Sequence, residues 1–168
     1  MLIYADNETV RMNLTKEIVL RGIQPSRLIF AGSLPKLEYL ARYRLADLFL
    51  DILPYNAGAT ASDALRMGLP VLTCMGDSFV SREAASVVNA INLPELITST
   101  QEQYESVAIE LATNPEKLKI IKDKLVDNLA TAPLYDTPLF TRHLESAYLT
   151  MYDRYQQGLD PEHIYVEH

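Results

Sequence analysis

Five short apolar runs limit what this chain can become. They are "LIY" (2–4), "RLIFAG" (27–32), "DLFLDI" (47–52), "PVLTC" (70–74) and "ELIT" (95–98). A single helical stretch lies in each interval: "NETVRMNLTKEIVLRG" (7–22), "PKLEYLARYR" (35–44), "ASDALRM" (61–67) and "SREAASVVNAI" (81–91). Strands joined through single helices form parallel βαβ units with right-handed crossovers. The expected fold class is therefore α/β, a doubly wound parallel sheet. Beyond residue 98 the pattern is helical only, with "TQEQYESVAIELATN" (100–114), "PEKLKIIKDKLVDNLAT" (115–131) and "LFTRHLESAYLTMYDRYQQG" (139–158). We expect a Rossmann-like domain over residues 1–131, with a C-terminal helix and tail, 132–168, packing on it.

Composition narrows the function classes. The net charge of −7 argues against nucleic acid or an anionic membrane as the main partner. Cys74 is the single cysteine, so no internal disulfide can form. Its apolar setting, "PVLTCMG", reads as a buried thiol and suits a reducing, cytoplasmic location. No leader pattern and no apolar stretch of about 20 residues is present, so neither a signal peptide nor a membrane span is expected. His, Cys, Asp and Glu show no metal-ligand spacing, and no metal is expected. His143 stands alone in the last long helix; His163 and His168 sit in the terminal tail.

In an open α/β sheet, ligands bind outside the carboxyl ends of the strands. "PYNAGATASDALRMGLPVLT" (54–73) begins at such an end, and its small residues precede a short helix that Gly68 and Pro70 stop. A helix N-terminus offers unpaired amide N–H groups and a partial positive charge. Asn56, Ala57, Gly58, Ala59 and Thr60 leave room for a phosphate oxygen to reach them. Thr60 could equally cap the helix, with Asp63 completing a Thr-x-x-Asp capping box. A first-turn carboxylate at Asp63 would repel a diphosphate directly against it, so beside a docked anion it should face ribose hydroxyls. Neither the P-loop nor the G-x-G-x-x-G pattern is present.

A second candidate lies in "LPKLEYLARYR" (34–44). Lys36, Tyr39 and Arg42 share one face of a helix, where a cation, a ring and a guanidinium could serve phosphate or ribose, a stacked base and its carbonyl edge. An amphipathic surface helix with scattered charges is the alternative. Asp51 is either a site residue or the start of the turn into Pro54. Ser81 and Arg82 either face the site or form a solvated first turn.

The stretch 28–91 resembles the catalytic region of the O-linked N-acetylglucosamine transferase family, glycosyltransferase family 41, particularly its bacterial members with tetratricopeptide repeats. The pattern D-x-x-P…T-x-S-D-A-L-x-M-G-x-P-V-L-T, residues 51–73, carries the resemblance. It continues through "LPELITSTQEQYESVAIELATNPEKL" and "PLYDTPLFTRHLESAY". The resemblance implies the C-terminal Rossmann-like half of a GT-B fold, binding a UDP-sugar donor without a metal. By motif, Lys36 and Asp63 would hold the ribose, and Tyr39 would pack on the uracil where many relatives have histidine. Arg42 and the backbone of Leu34 would read the base edge, and the amides around Ala59 and Thr60 would take the diphosphate. Gly58 and Ala59 stand where relatives often have histidine and a second threonine, so side-chain hydrogen bonds to phosphate are lost there.

The resemblance also implies that the first strand of the domain, a leaving-group lysine, the N-terminal acceptor-binding domain and the repeats lie outside these residues. No catalytic residue is then expected within them, and the isolated chain should not transfer sugar. The activity of the whole would be inverting transfer to protein Ser or Thr. The lost strand would leave "LIY" and "DLFLDI" either paired directly or bridged by another copy in a strand-swapped homodimer. Two other classes remain open: a non-catalytic nucleotide-binding α/β domain, and an interaction module that docks on repeats.

Overall fold

The computed structural model describes residues 1–166. At its centre is β4 (Val71–Cys74), all four residues of which are buried. Successive strand side chains point to opposite faces, so a strand buried throughout is covered on both. The cover comes from α3 (Ala59–Arg66), α4 (Glu83–Ala90) and α5 (Gln101–Thr113), each packed against β4. On either side of β4 run β3 (Phe49–Leu50) and β5 (Ile97–Thr98), both parallel to it. Phe49 stands opposite Val71, and Thr73 opposite Ile97. The chain is α/β with parallel sheets and flanking helices.

β1 (Leu2–Tyr4) and β2 (Ile29–Ala31) form a separate parallel pair, with Ile3 opposite Phe30, connected through α1 (Glu8–Leu20). The strand order is β1–β2 in one sheet and β3–β4–β5 in the other. Of the two arrangements expected around the lost strand, the direct pairing of "LIY" with "DLFLDI" therefore does not occur. β1 pairs β2 across α1, and β4 lies between β3 and β5, so neither β1 nor β2 pairs with β3. The helix between the two sheets, α2 (Lys36–Arg42), joins β2 to β3 instead. β3 is also shorter than the run 47–52: its Phe49 N–H bonds the Pro70 carbonyl, and then Asp51 turns the chain.

The core is one cluster between Ala61 and Ala132, in which Leu65, Leu72, Val88, Leu96 and Leu111 are fully buried. α6 (Pro115–Leu129) adds Ile121 and Leu125. By contrast, α1 and α7 (Thr137–Gln156) contain no buried residue. A 3-10 turn at Pro133–Tyr135 ties the C-terminal segment to the site-bearing helix, because the Tyr135 hydroxyl donates to the Ser62 carbonyl at 2.7 Å. α3 stops as its sequence requires. Gly68 takes φ +80°, its N–H bonds Leu65 and that of Leu69 bonds Ala64, a Schellman closure that only glycine enters without strain. Among the described residues no helix is long and apolar enough to cross a membrane, and His168 lies outside them.

Candidate functional site

The small-residue loop is fixed from the core side. Asp51 is buried at the end of β3. Its carboxylate accepts from the Ile52 N–H at 2.9 Å, the Ala57 N–H at 2.8 Å and the Thr73 hydroxyl at 2.7 Å. Burial pushes its pKa up, and these hydrogen bonds pull the other way. Asp51 is thus neither an open site residue nor a simple turn starter; it is the post on which the loop hangs. The Tyr104 hydroxyl donates to the Asp51 carbonyl at 2.8 Å, and burial with the Asp51 charge pushes that phenol up to about 12. Asn56 is buried beside it, its amide donating to the Ile52 carbonyl at 2.9 Å.

These anchors hold residues 51–57, so the helical turn begins directly afterwards, with Gly58 at the N-cap and no side-chain cap. The expected capping box does not form. Thr60 lies inside α3, and Asp63 falls in its second turn instead of its first. The first N–H to bond backward is that of Ser62, to the Gly58 carbonyl at 3.1 Å. Those of Gly58, Ala59, Thr60 and Ala61 have no acceptor among the described residues, leaving four donors at the positive end of the helix.

α2 supplies the opposite side. Lys36 Nζ lies 2.6 Å from Asp63 Oδ2, joining the two elements, and 5.0 Å from the centre of the Tyr39 ring. The Arg42 guanidinium lies 5.8 Å from the same ring and donates to the Gly32 carbonyl at 2.9 Å. The face read from i, i+3, i+6 spacing therefore exists, and Lys36 links it to α3. Lys36, Tyr39, Arg42, Thr60 and Asp63 come together. Leu34 is exposed in the connection between β2 and α2, and Ala59 opens α3.

Two residues here escaped sequence reasoning. Tyr43, one position past α2, has its hydroxyl 2.5 Å from that of Tyr39 and donates to the Thr60 carbonyl at 3.4 Å. Burial, then the bond to Tyr39, raises its pKa well above the usual phenol range. The signal was the second tyrosine in "EYLARY", at i+4 on the same face. Glu83, the first residue of α4, leans against the loop backbone: a β-carbon on Gly58 would lie 1.9 Å from Glu83 Oε1. Glycine at 58 is thus what makes room for this carboxylate. Its neighbour Ser81 is buried with its hydroxyl engaged by Ser78, so the solvated first turn expected there holds only for the exposed Arg82.

The cluster can bind an anion through the free amides and Lys36, and hydroxyl groups through Asp63. A groove of about 550 Å³ between α1 and Phe30 is lined by none of these residues. A hollow of about 360 Å³ at Phe79, Arg82, Glu83, Ser86 and Val87 shares only Glu83 with the loop. Among the described residues no three His, Cys, Asp or Glu side chains are grouped to hold a metal ion.

The family model described as Glycosyl transferase family 41 matches residues 5–144. The UDP-N-acetylglucosamine--peptide N-acetylglucosaminyltransferase of Caenorhabditis elegans is 32% identical over 152 residues, 90% of this chain and 13% of that protein. The probable UDP-N-acetylglucosamine--peptide N-acetylglucosaminyltransferase SEC of Arabidopsis thaliana is 33% identical over 147 residues, 87% of this chain and 15% of its own length. A solved structure of a Thermobaculum terrenum O-GlcNAc transferase mutant, K341M, superposes with a TM-score of 0.85 at 30% identity. That match covers 94% of this chain and 31% of the other.

Proposed function

Because the chain belongs to glycosyl transferase family 41, we propose that it is the donor-binding part of an enzyme that moves N-acetylglucosamine from UDP to a protein hydroxyl. In this reading the free amides of Gly58–Ala61 take the diphosphate, and Lys36 and Asp63 hold the ribose hydroxyls. Tyr39 packs on uracil, and Arg42 with the Leu34 backbone reads the base edge. The observation that carries it is the 2.6 Å contact of Lys36 with Asp63, which sets a donor and an acceptor beside four unpaired amides. The pair is partly exposed, so its ionic attraction adds little to folding, and both groups stay available to a ligand.

We extend the proposal to the reaction: the acceptor Ser or Thr hydroxyl displaces UDP directly and inverts the anomeric carbon. Negative charge then grows on the leaving diphosphate, where preorganised amides act most strongly. Because the chain spans only 13% and 15% of the curated relatives described above, we assign the acceptor-binding and transfer functions to a longer protein. Residues 1–168 alone should bind donor without turnover.

Calorimetry with UDP tests the reading. Wild type should bind, and Asp63→Ala should lose roughly 1–3 kcal/mol of affinity while keeping its circular-dichroism spectrum. No binding by wild type, or an unchanged affinity in Asp63→Ala, refutes it.

A further inference from the structure

We propose that Tyr43 is a positioning residue for the nucleoside: it locks the Tyr39 ring through a chain of hydroxyl contacts that ends on the backbone of α3. The inference rests on the donor-binding reading above. Each phenol has one proton. The two hydroxyls lie 2.5 Å apart, within one hydrogen bond, and that of Tyr43 also reaches the Thr60 carbonyl at 3.4 Å.

The rings reinforce that chain. Tyr43 meets Tyr39 edge to face, with centres 5.2 Å apart, and tilts against Phe49 of β3 at 6.4 Å. Tyr39 is thereby held from α3 and from the sheet, although α2 itself buries no residue. A ring meant to receive a flat base needs such restraint, because α2 is seven residues long and its own packing supplies little. Lys36 and Arg42 flank Tyr39 at 5.0 and 5.8 Å, but their hydrogen bonds go to Asp63 and the Gly32 carbonyl and not to the ring's hydroxyl. Tyr43 touches the base-binding side chain and the start of the phosphate-binding helix together, so it sets their spacing.

The test is a double-mutant cycle with Tyr43→Phe, Tyr39→Phe and both, which keeps every ring and removes only hydroxyls. UDP affinity is read by calorimetry, inorganic pyrophosphate binding by NMR titration, and folding by thermal melting. Either single variant should weaken UDP binding about three- to tenfold, as expected for one lost hydrogen bond. The double variant should bind no more weakly than either single one, and pyrophosphate binding should be unchanged. The inference is overturned if Tyr43→Phe binds UDP like wild type, if the two losses multiply, or if pyrophosphate binding falls in parallel. Wild type that fails to bind UDP overturns the donor-binding reading as well, and so marks that failure apart.

Discussion

Asp51→Ala is the perturbation that most directly tests how the fold builds its loop. The substitution strands the Ala57 N–H, held at 2.8 Å, and the buried Thr73 hydroxyl, held at 2.7 Å. An unsatisfied buried donor costs about 1–3 kcal/mol. Removing a carboxylate that burial already disfavours returns part of this, so the expected net loss is about 2–4 kcal/mol. The Ile52 N–H is left out of the sum, because Ile52 is exposed and water can replace that bond. Asp51→Asn keeps an oxygen for the Ala57 N–H and should cost about 1 kcal/mol or less. Urea unfolding followed by circular dichroism measures both. Where Asp51→Ala remains folded, calorimetry should also show weaker UDP binding, since residues 51–58 lead into the amides of α3. If Asp51→Ala stays within about 0.5 kcal/mol of wild type, or matches Asp51→Asn, the anchoring role is refuted.

The same carboxylate has a pH signature. Its pKa is raised above 3.8 in the folded state, so between 3.8 and the raised value the folded chain holds a proton that the unfolded one releases. The proton-linked part of its contribution is complete below 3.8 and is lost as pH rises through the folded pKa, while the hydrogen bonds that it accepts persist; Asp51→Asn should abolish this slope in urea midpoints measured across that range. Glu83→Gln removes a negative charge that lies against Gly58. If the diphosphate docks at the neighbouring amides, affinity for UDP should rise about fivefold, the effect of one like charge near 4 Å in water, while uridine binding stays the same. Equal gains for both ligands would mean that the charge acts on folding and not on phosphate.

Much of this protein was legible from the chain alone. The interval between apolar runs dictated parallel βαβ units, because both the strand's pleat and the helix's turn are local and their periods show in a short window. Gly68 and Pro70 marked the end of α3 for the same reason. The shared face of Lys36, Tyr39 and Arg42 followed from helical spacing. Tertiary structure decided what those pieces meet. Lys36 bonds Asp63 on another helix, Glu83 fills the space that glycine leaves at 58, and Asp51 anchors a loop through Thr73. Thr60 is the instructive failure: its local pattern fits a cap, yet Asp51 and Asn56 fix the chain upstream and start α3 two residues earlier than "ASDALRM" suggested. A cap is a choice among near-equal local options, and a buried carboxylate from the core outweighs it. Contacts between elements depend on how crossovers stack in space, and no window of sequence contains that path.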